Sequence, residues 1–131
     1  MTSRRLLLIG LALLPFAGVA RAETFATQAM TVADMQTNGG LIVDIRTPEE
    51  WAESGVIEGA RLVTFDGAES FLAALGPDLA SGRDLILVCR SGRRTAAAAD
   101  ALAGAIPNRI ISVDGGMIAV VQGGYSPVPA P

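Results

Sequence analysis

Cys89 is the one cysteine in a chain of 131 residues, and the residues after it are of a kind that keeps a sulfur charged. It ends an apolar run, Leu85-Ile86-Leu87-Val88, and opens a short loop, Cys89-Arg90-Ser91-Gly92-Arg93-Arg94. An alanine-rich stretch from Thr95 to Ala105 follows and reads as a helix. A buried strand running into an arginine-rich turn at a helix start makes an anion cradle with a nucleophile at its base. Loop amides can point inward as a nest, and the helix beginning near Arg93 adds the positive end of its dipole. Arg90, Arg93 and Arg94 bring full charges, and each of these effects favours thiolate over thiol. Gly92 lets the backbone turn without a Cβ clash. The competing interpretation is a small buried hydrophobe, which a free cysteine often is. The loop that follows favours the reactive interpretation.

The rest of the composition narrows the chemistry. The ten basic residues are all arginine, and histidine is absent. That removes a Ser-His or Cys-His couple and removes histidine as a metal ligand. A lone cysteine excludes a zinc ribbon, a CxxC redox pair and an internal disulfide. No metal and no cofactor is expected. The net charge of −3 argues against a nucleic-acid surface, which needs a basic face. Half the residues are apolar, enough for one globular core, and the length suits one domain.

Residues 1–22 read as an export signal. Arg4 and Arg5 form the charged start, Leu6 to Ala20 an apolar run broken by Pro15, and Ala20-Arg21-Ala22 a small-x-small cleavage site. The run is about 15 residues, short of the roughly 20 that a spanning helix needs. The alternative is an uncleaved anchor. Ser3-Arg4-Arg5-Leu6-Leu7 also resembles a twin-arginine signal, and the sequence does not choose between that route and the general secretory one. The expected location is periplasmic or extracellular, with no stable membrane association after cleavage. An unpaired cysteine in an oxidising compartment either pairs with another chain or is kept for its chemistry.

Residues 23–131 alternate strand-like and helix-like segments. Phe25 to Met30 suggests a first strand and Val32 to Gln36 a short helix, closed by Asn38-Gly39-Gly40. Leu41-Ile42-Val43-Asp44-Ile45 is a nearly continuous apolar run, the mark of a strand covered on both faces. Thr47-Pro48-Glu49-Glu50 starts a helix, with Thr47 as N-cap, Pro48 at the first helical position and Glu50 completing a capping box. Trp51 is expected to anchor that helix in the core, and Gly55 to close it. Arg61 to Phe65 reads as a strand, and Glu69 to Leu75 as a helix stopped by Gly76-Pro77. Arg93 to Ala105 reads as a helix, Arg109 to Val113 as a strand and Met117 to Gln122 as a last helix. Ser126 to Pro131 is proline-rich and expected to be extended or loose.

Such alternation implies an α/β fold, a mostly parallel sheet of about five strands with helices on both faces. Ligands bind beyond the carboxyl ends of such strands. Cys89 lies at one carboxyl end, Asp44 and Arg46 at another, and neighbouring strands would bring all three to one rim. Asp44 and Arg46 are expected to support the site rather than react. The alternative is an ordinary strand-end ion pair, worth about 1 kcal/mol or less if exposed. Asp114 is expected to be a turn residue, and Trp51 and Tyr125 packing residues.

Cys89-Arg90-Ser91-Gly92-Arg93-Arg94-Thr95 resembles the active-site loop of rhodanese-type sulfurtransferases, C-x-x-G-x-R and a small residue. Leu41 to Arg46 with Glu50-Trp51 and then Gly55-Val56-Ile57-Glu58-Gly59-Ala60 is similar to that family's early motif. Val113-Asp114-Gly115-Gly116, Ala119 and Gly124-Tyr125-Ser126-Pro127-Val128 is similar to its closing motif. Two positions depart from the pattern: Val56, where histidine is usual, and Val120, where tryptophan is usual. The resemblance implies sulfur transfer in two displacements. Cys89 takes sulfur from a small anionic donor such as thiosulfate, then gives it to cyanide, a thiol or a protein thiol. It makes the amides of Arg90 to Arg94 the persulfide cradle. Arg94, closing the loop, reads as its brace, and Arg90 and Arg93 are the candidates for steering the donor; the alternative for each is a solvated surface arginine. A cysteine phosphatase needs one more residue between cysteine and arginine and an aspartic general acid, which is not evident here. The same fold could also serve as a persulfide carrier or as a non-catalytic binding module.

Overall fold

The strands form where apolar runs are buried on both sides. A computed structural model describes residues 25–131, and the expected export signal lies outside the described residues. The strands are β1 (Phe25–Gln28), β2 (Leu41–Asp44), β3 (Arg61–Leu62), β4 (Leu85–Val88) and β5 (Ile110–Val113). They pair in the order β1-β5-β4-β2-β3, every pairing parallel. Every residue of β2, β4 and β5 is buried, which is why their sequences are continuous rather than alternating. The expected sheet, parallel and five-stranded, is the one found.

Among the described residues five helices cover it: α1 (Val32–Asn38), α2 (Pro48–Ser54), α3 (Ala68–Leu75), α4 (Arg93–Leu102) and α5 (Gly116–Gln122), with a 3-10 turn at Gly76–Leu79. Alternate strand residues feed two cores. Leu41, Val43, Leu85, Leu87 and Ile110 pack with Phe71, Leu75, Ala98, Ala99 and Leu102 from α3 and α4. Ile42, Ile86, Val88, Ile111 and Val113 pack with Val32, Met35, Met117 and Val120 from α1 and α5. Cys89 belongs to the first core.

Local chemistry sets the helix starts. Thr47 caps α2 as expected: the Glu50 amide donates to its hydroxyl at 3.4 Å, and the Thr47 amide donates to Glu50 Oε1 at 3.4 Å. A second capping box, Thr31 with Asp34, starts α1.

Four expectations need correction. The strand expected over 61–65 has two ladder residues, although Val63 and Phe65 still donate to Asp44 O and Ile45 O. The helix expected to reach Ala105 ends at Leu102. Trp51 is half-buried rather than a core anchor, because α2 buries no residue fully. It lines a groove with Leu62 and the tail from Pro127 to Pro131. That tail is not loose. Val128 and Val56 exchange both backbone hydrogen bonds, at 2.8 and 2.9 Å.

Candidate active site

Asp44 stands opposite Val88 in the β2–β4 ladder, so the carboxyl ends of these strands meet as expected. Cys89 follows Val88 and is fully buried, 0% exposed. The Gly92 amide donates to its sulfur at 3.1 Å. Among the described residues it is the one backbone amide bonded to the sulfur, fewer than the several that the loop sequence suggests. Gly92 has φ +95, and a Cβ there would press on Gly115 N at 3.1 Å and Val113 O at 3.3 Å. Glycine therefore brings the loop down onto the β5–α5 turn.

That turn is the floor of the loop. Met117 N–H donates to Cys89 O at 2.8 Å, and Ile118 N–H donates to Arg90 O at 3.1 Å. The first turn of α5 has unpaired amides, and the loop carbonyls take two of them. Gly116 makes the approach possible. At φ +53 it lies so close that a Cβ would sit 2.7 Å from Arg90 C and O, and nearer still to Cys89 O. The closing Gly115-Gly116 pair thus has a steric role at the cysteine loop.

Arg90, Ser91, Arg93 and Arg94 are exposed and Gly92 is half-buried. Arg94 grips Glu50 of α2 with both ends of its fork, Nη1 to Oε1 at 2.6 Å and Nη2 to Oε2 at 2.7 Å. This bidentate pair ties the start of α4 to α2. Hydrogen bonding from Arg94 pulls the Glu50 carboxyl down to about 2, against the desolvation that would raise it. The same carboxylate raises Arg94 further above its usual range. Arg93 makes no ion pair among the described residues, and Arg90 lines a cleft beside the loop.

Asp44 and Arg46 are no exposed strand-end pair. They are 1% and 2% exposed, with Nη2 donating to Asp44 Oδ2 at 2.7 Å and Nε to Oδ1 at 3.0 Å. Arg46 also donates to Ser54 Oγ and to Gly55 O, both at 2.7 Å. It therefore ties the end of β2 to the end of α2. Every guanidinium nitrogen has a partner, as a buried charge requires.

Beneath the sulfur lie two hydroxyls that the sequence did not mark. Cys89 Sγ is 3.7 Å from Thr95 Oγ1, Thr95 Oγ1 donates to Gly92 O at 3.0 Å, and Ser112 Oγ donates to Thr95 Oγ1 at 2.8 Å. Thr95 and Ser112 are 0% and 1% exposed. The available signal was a serine inside the apolar run Ile110-Ile111-Ser112-Val113. Glu50 was likewise legible only as a cap, not as the partner of Arg94.

The cleft that Arg90 lines has a volume of about 440 Å³. Arg46, Glu50, Glu53 and Arg90 supply its polar side, and Met117, Ile118 and Val121 its apolar side. Asp114 is exposed in the turn, and the Tyr125 hydroxyl accepts from Glu58 N–H at 3.0 Å while its ring packs on the second core. Val56 and Val120, the two departures from the resembled motifs, are both buried apolar residues. Among the described residues, no group of three or more His, Cys, Asp or Glu is placed to hold a metal ion. No helix there is long and apolar enough to cross a membrane.

Comparison with known proteins places this arrangement. The chain is similar to a rhodanese-like domain protein from Staphylococcus aureus at 28% identity and TM-score 0.55, over 71% of this chain and 90% of that one. It is similar to a rhodanese-related protein from Thermoplasma volcanium at 23% identity and TM-score 0.57, over 75% and 94%. A third structure is a protein of unknown function from Rhodopseudomonas palustris, described as a possible tyrosine phosphatase, at 24% identity and TM-score 0.53, over 75% and 82%. At the last two identities the likeness shows the fold alone. Comparison with curated proteins gave no match. A family model, the rhodanese-like domain, matches residues 28–123, from the end of β1 past α5 and across the whole cysteine loop. The chain belongs to the rhodanese-like domain family.

Proposed function

We propose that this protein is a sulfurtransferase that carries sulfane sulfur on Cys89. The observation that supports this most directly is a lone cysteine at the carboxyl end of a central strand, with the Gly92 amide 3.1 Å from its sulfur. The thiolate attacks the outer sulfur of thiosulfate. A new S–S bond forms on Cys89, the S–S bond of thiosulfate breaks, and its electron pair leaves with sulfite. An acceptor then attacks the terminal sulfur of the persulfide and restores the thiolate. Cyanide becomes thiocyanate, and a thiol becomes a persulfide. No general base is needed when the sulfur is already ionised. The Gly92 amide is a donor to the sulfur anion, and Arg90 and Arg93, exposed on the loop, supply positive potential for an anionic donor. Arg94 holds the loop against α2 and is not free to bind substrate. Cys89 is fully buried, so a donor reaches the sulfur only when the structure around it opens locally.

A phosphatase suits the loop less well. Four residues separate Cys89 from Arg94, and a phosphoryl group with three peripheral oxygens needs a wider ring of donors than one sulfur does. Residues 1–22 are proposed to direct export to the periplasm or the exterior.

Thiosulfate is expected to leave the wild-type protein one sulfur atom heavier by intact mass, and cyanide to reverse the gain. Cys89→Ser is expected to lose both while keeping the fold by circular dichroism. No mass gain from thiosulfate or another sulfane donor would favour a binding module. Aryl phosphate hydrolysis at a comparable rate would favour a phosphatase.

A further inference from the structure

The core between the sheet and α4 holds two buried hydroxyls in line with the sulfur, where apolar side chains would pack at no polar cost. Ser112 is paired with Leu87 across the β4–β5 ladder, and Thr95 lies in the first turn of α4. Buried hydroxyls are costly unless bonded. Each here is bonded, and the way they are bonded leaves one proton free to move.

Thr95 has a single hydroxyl proton and three polar neighbours. Gly92 O can only accept, so with a neutral sulfur the Thr95 proton points there, at 3.0 Å. The Ser112 hydroxyl then donates to Thr95 at 2.8 Å, and the Cys89 thiol can donate to the same oxygen. When the sulfur loses its proton to solvent, that last bond has no hydrogen. The Thr95 proton can turn to the sulfur, because Gly92 O keeps a second donor, the Ala96 amide at 3.2 Å. Ser112 has no other side-chain partner among the described residues, so it stays a donor in both states. A hydroxyl that accepts a hydrogen bond is a better donor itself.

We propose that Ser112 is a positioning residue for Cys89: by donating to Thr95 it leaves the Thr95 hydroxyl free to donate to the sulfur whenever the sulfur carries negative charge. The chain then runs Ser112 to Thr95 to Cys89, each hydroxyl donating toward the charge, and adds a second donor beside the Gly92 amide. This rests on the reading of Cys89 as the reactive group. The same arrangement serves the inner sulfur at the two ends of the double displacement, in the resting thiolate and in the thiolate restored when the acceptor takes the outer sulfur; in the persulfide between them the charge lies on the outer sulfur.

The test is the pH dependence of Cys89 alkylation by iodoacetamide, followed by intact mass, in the wild-type protein, Ser112→Ala, Thr95→Val and Thr95→Ser. The charged residues on the elements that meet at the cysteine loop are Arg90, Arg93 and Arg94 on the loop and α4, Asp44 and Arg46 on β2 and its exit, Glu50 on α2 and Asp114 in the β5–α5 turn. They are the same in every variant, so a change in profile reports the hydroxyls. Ser112→Ala is expected to raise the pH of half-maximal rate by about 0.5 to 1 unit. Thr95→Val is expected to raise it further, and Thr95→Ser to return it near wild type. The alkaline plateau is expected to stay within about twofold in all, since access is unchanged. Unmoved midpoints, or an equal loss of rate at every pH, would overturn the proposal. Either folded variant, Ser112→Ala or Thr95→Val, is sufficient, because they remove opposite ends of one contact. Midpoints that move as stated, with no persulfide formed from thiosulfate or another sulfane donor, would uphold this inference and sink the sulfurtransferase reading alone.

Discussion

Asp44→Ala is expected to be far more damaging than the loss of a strand-end ion pair. The substitution leaves the Arg46 guanidinium, 2% exposed, with only Ser54 Oγ and Gly55 O as partners and no counter-charge. Removing one partner of a buried pair costs about 3 to 5 kcal/mol, because the other charge stays buried. That is a large share of the roughly 5 to 15 kcal/mol that holds a domain together. With a urea slope of about 1 to 1.5 kcal/mol/M, the unfolding midpoint should fall by about 3 M. Equilibrium urea unfolding, followed by circular dichroism, measures it. The double variant, Asp44→Ala with Arg46→Met, should unfold at higher urea than Asp44→Ala alone, since it removes the orphaned charge. A single-variant drop below about 1 M is what an exposed pair would give. That result, or a double variant weaker than the single, would refute the reasoning.

Other substitutions test the loop and its supports. Gly116→Ala should cost about 2 kcal/mol or more and strongly reduce sulfur transfer, because the added methyl collides with Cys89 O and Arg90 O; thermal unfolding and a thiocyanate assay measure both. The Glu50–Arg94 brace has a defined pH window. Glu50 is held down to about 2, so its contribution is complete above the ordinary carboxylate range and fades as pH falls through that range toward about 2. Arg94 is 43% exposed, so the brace is worth about 1 kcal/mol or less, and Glu50→Gln should flatten the acid limb of a stability–pH curve by that much. Deleting residues 126–131 should uncover Trp51, the sole tryptophan, and shift its fluorescence to the red; an unmoved spectrum would show that the tail does not shield it.

Strands β2 and β4 were legible almost to the residue because burial on both faces leaves nothing to alternate. The start of α2 was legible because Thr47, Pro48 and Glu50 act within one turn. The loop from Cys89 to Arg94 is contiguous, so its chemistry could be read in order. Contacts between distant residues were not legible. Nothing local says that Glu50 meets Arg94, that Ser112 lies under Thr95, or that Arg46 reaches the Gly55 carbonyl. Where the extended tail docks was hidden for the same reason. Prolines suggest freedom, but Val128 finds an unpaired backbone at Val56, and Pro127 lies against Gly55. Trp51 is expected to face inward from α2 as a core anchor, whereas the groove under the tail is where α2 presents it.

The sheet order has a consequence for how the chain assembles. The first described strand, β1, lies at one edge, and among the described residues its one partner is β5, with Phe25 beside Ile110. Synthesis must therefore reach β5, about 80 residues further on, before that strand can dock. Closing so long an intervening segment is entropically slow, so the N-terminal strand should be the last to gain protection from hydrogen exchange during refolding.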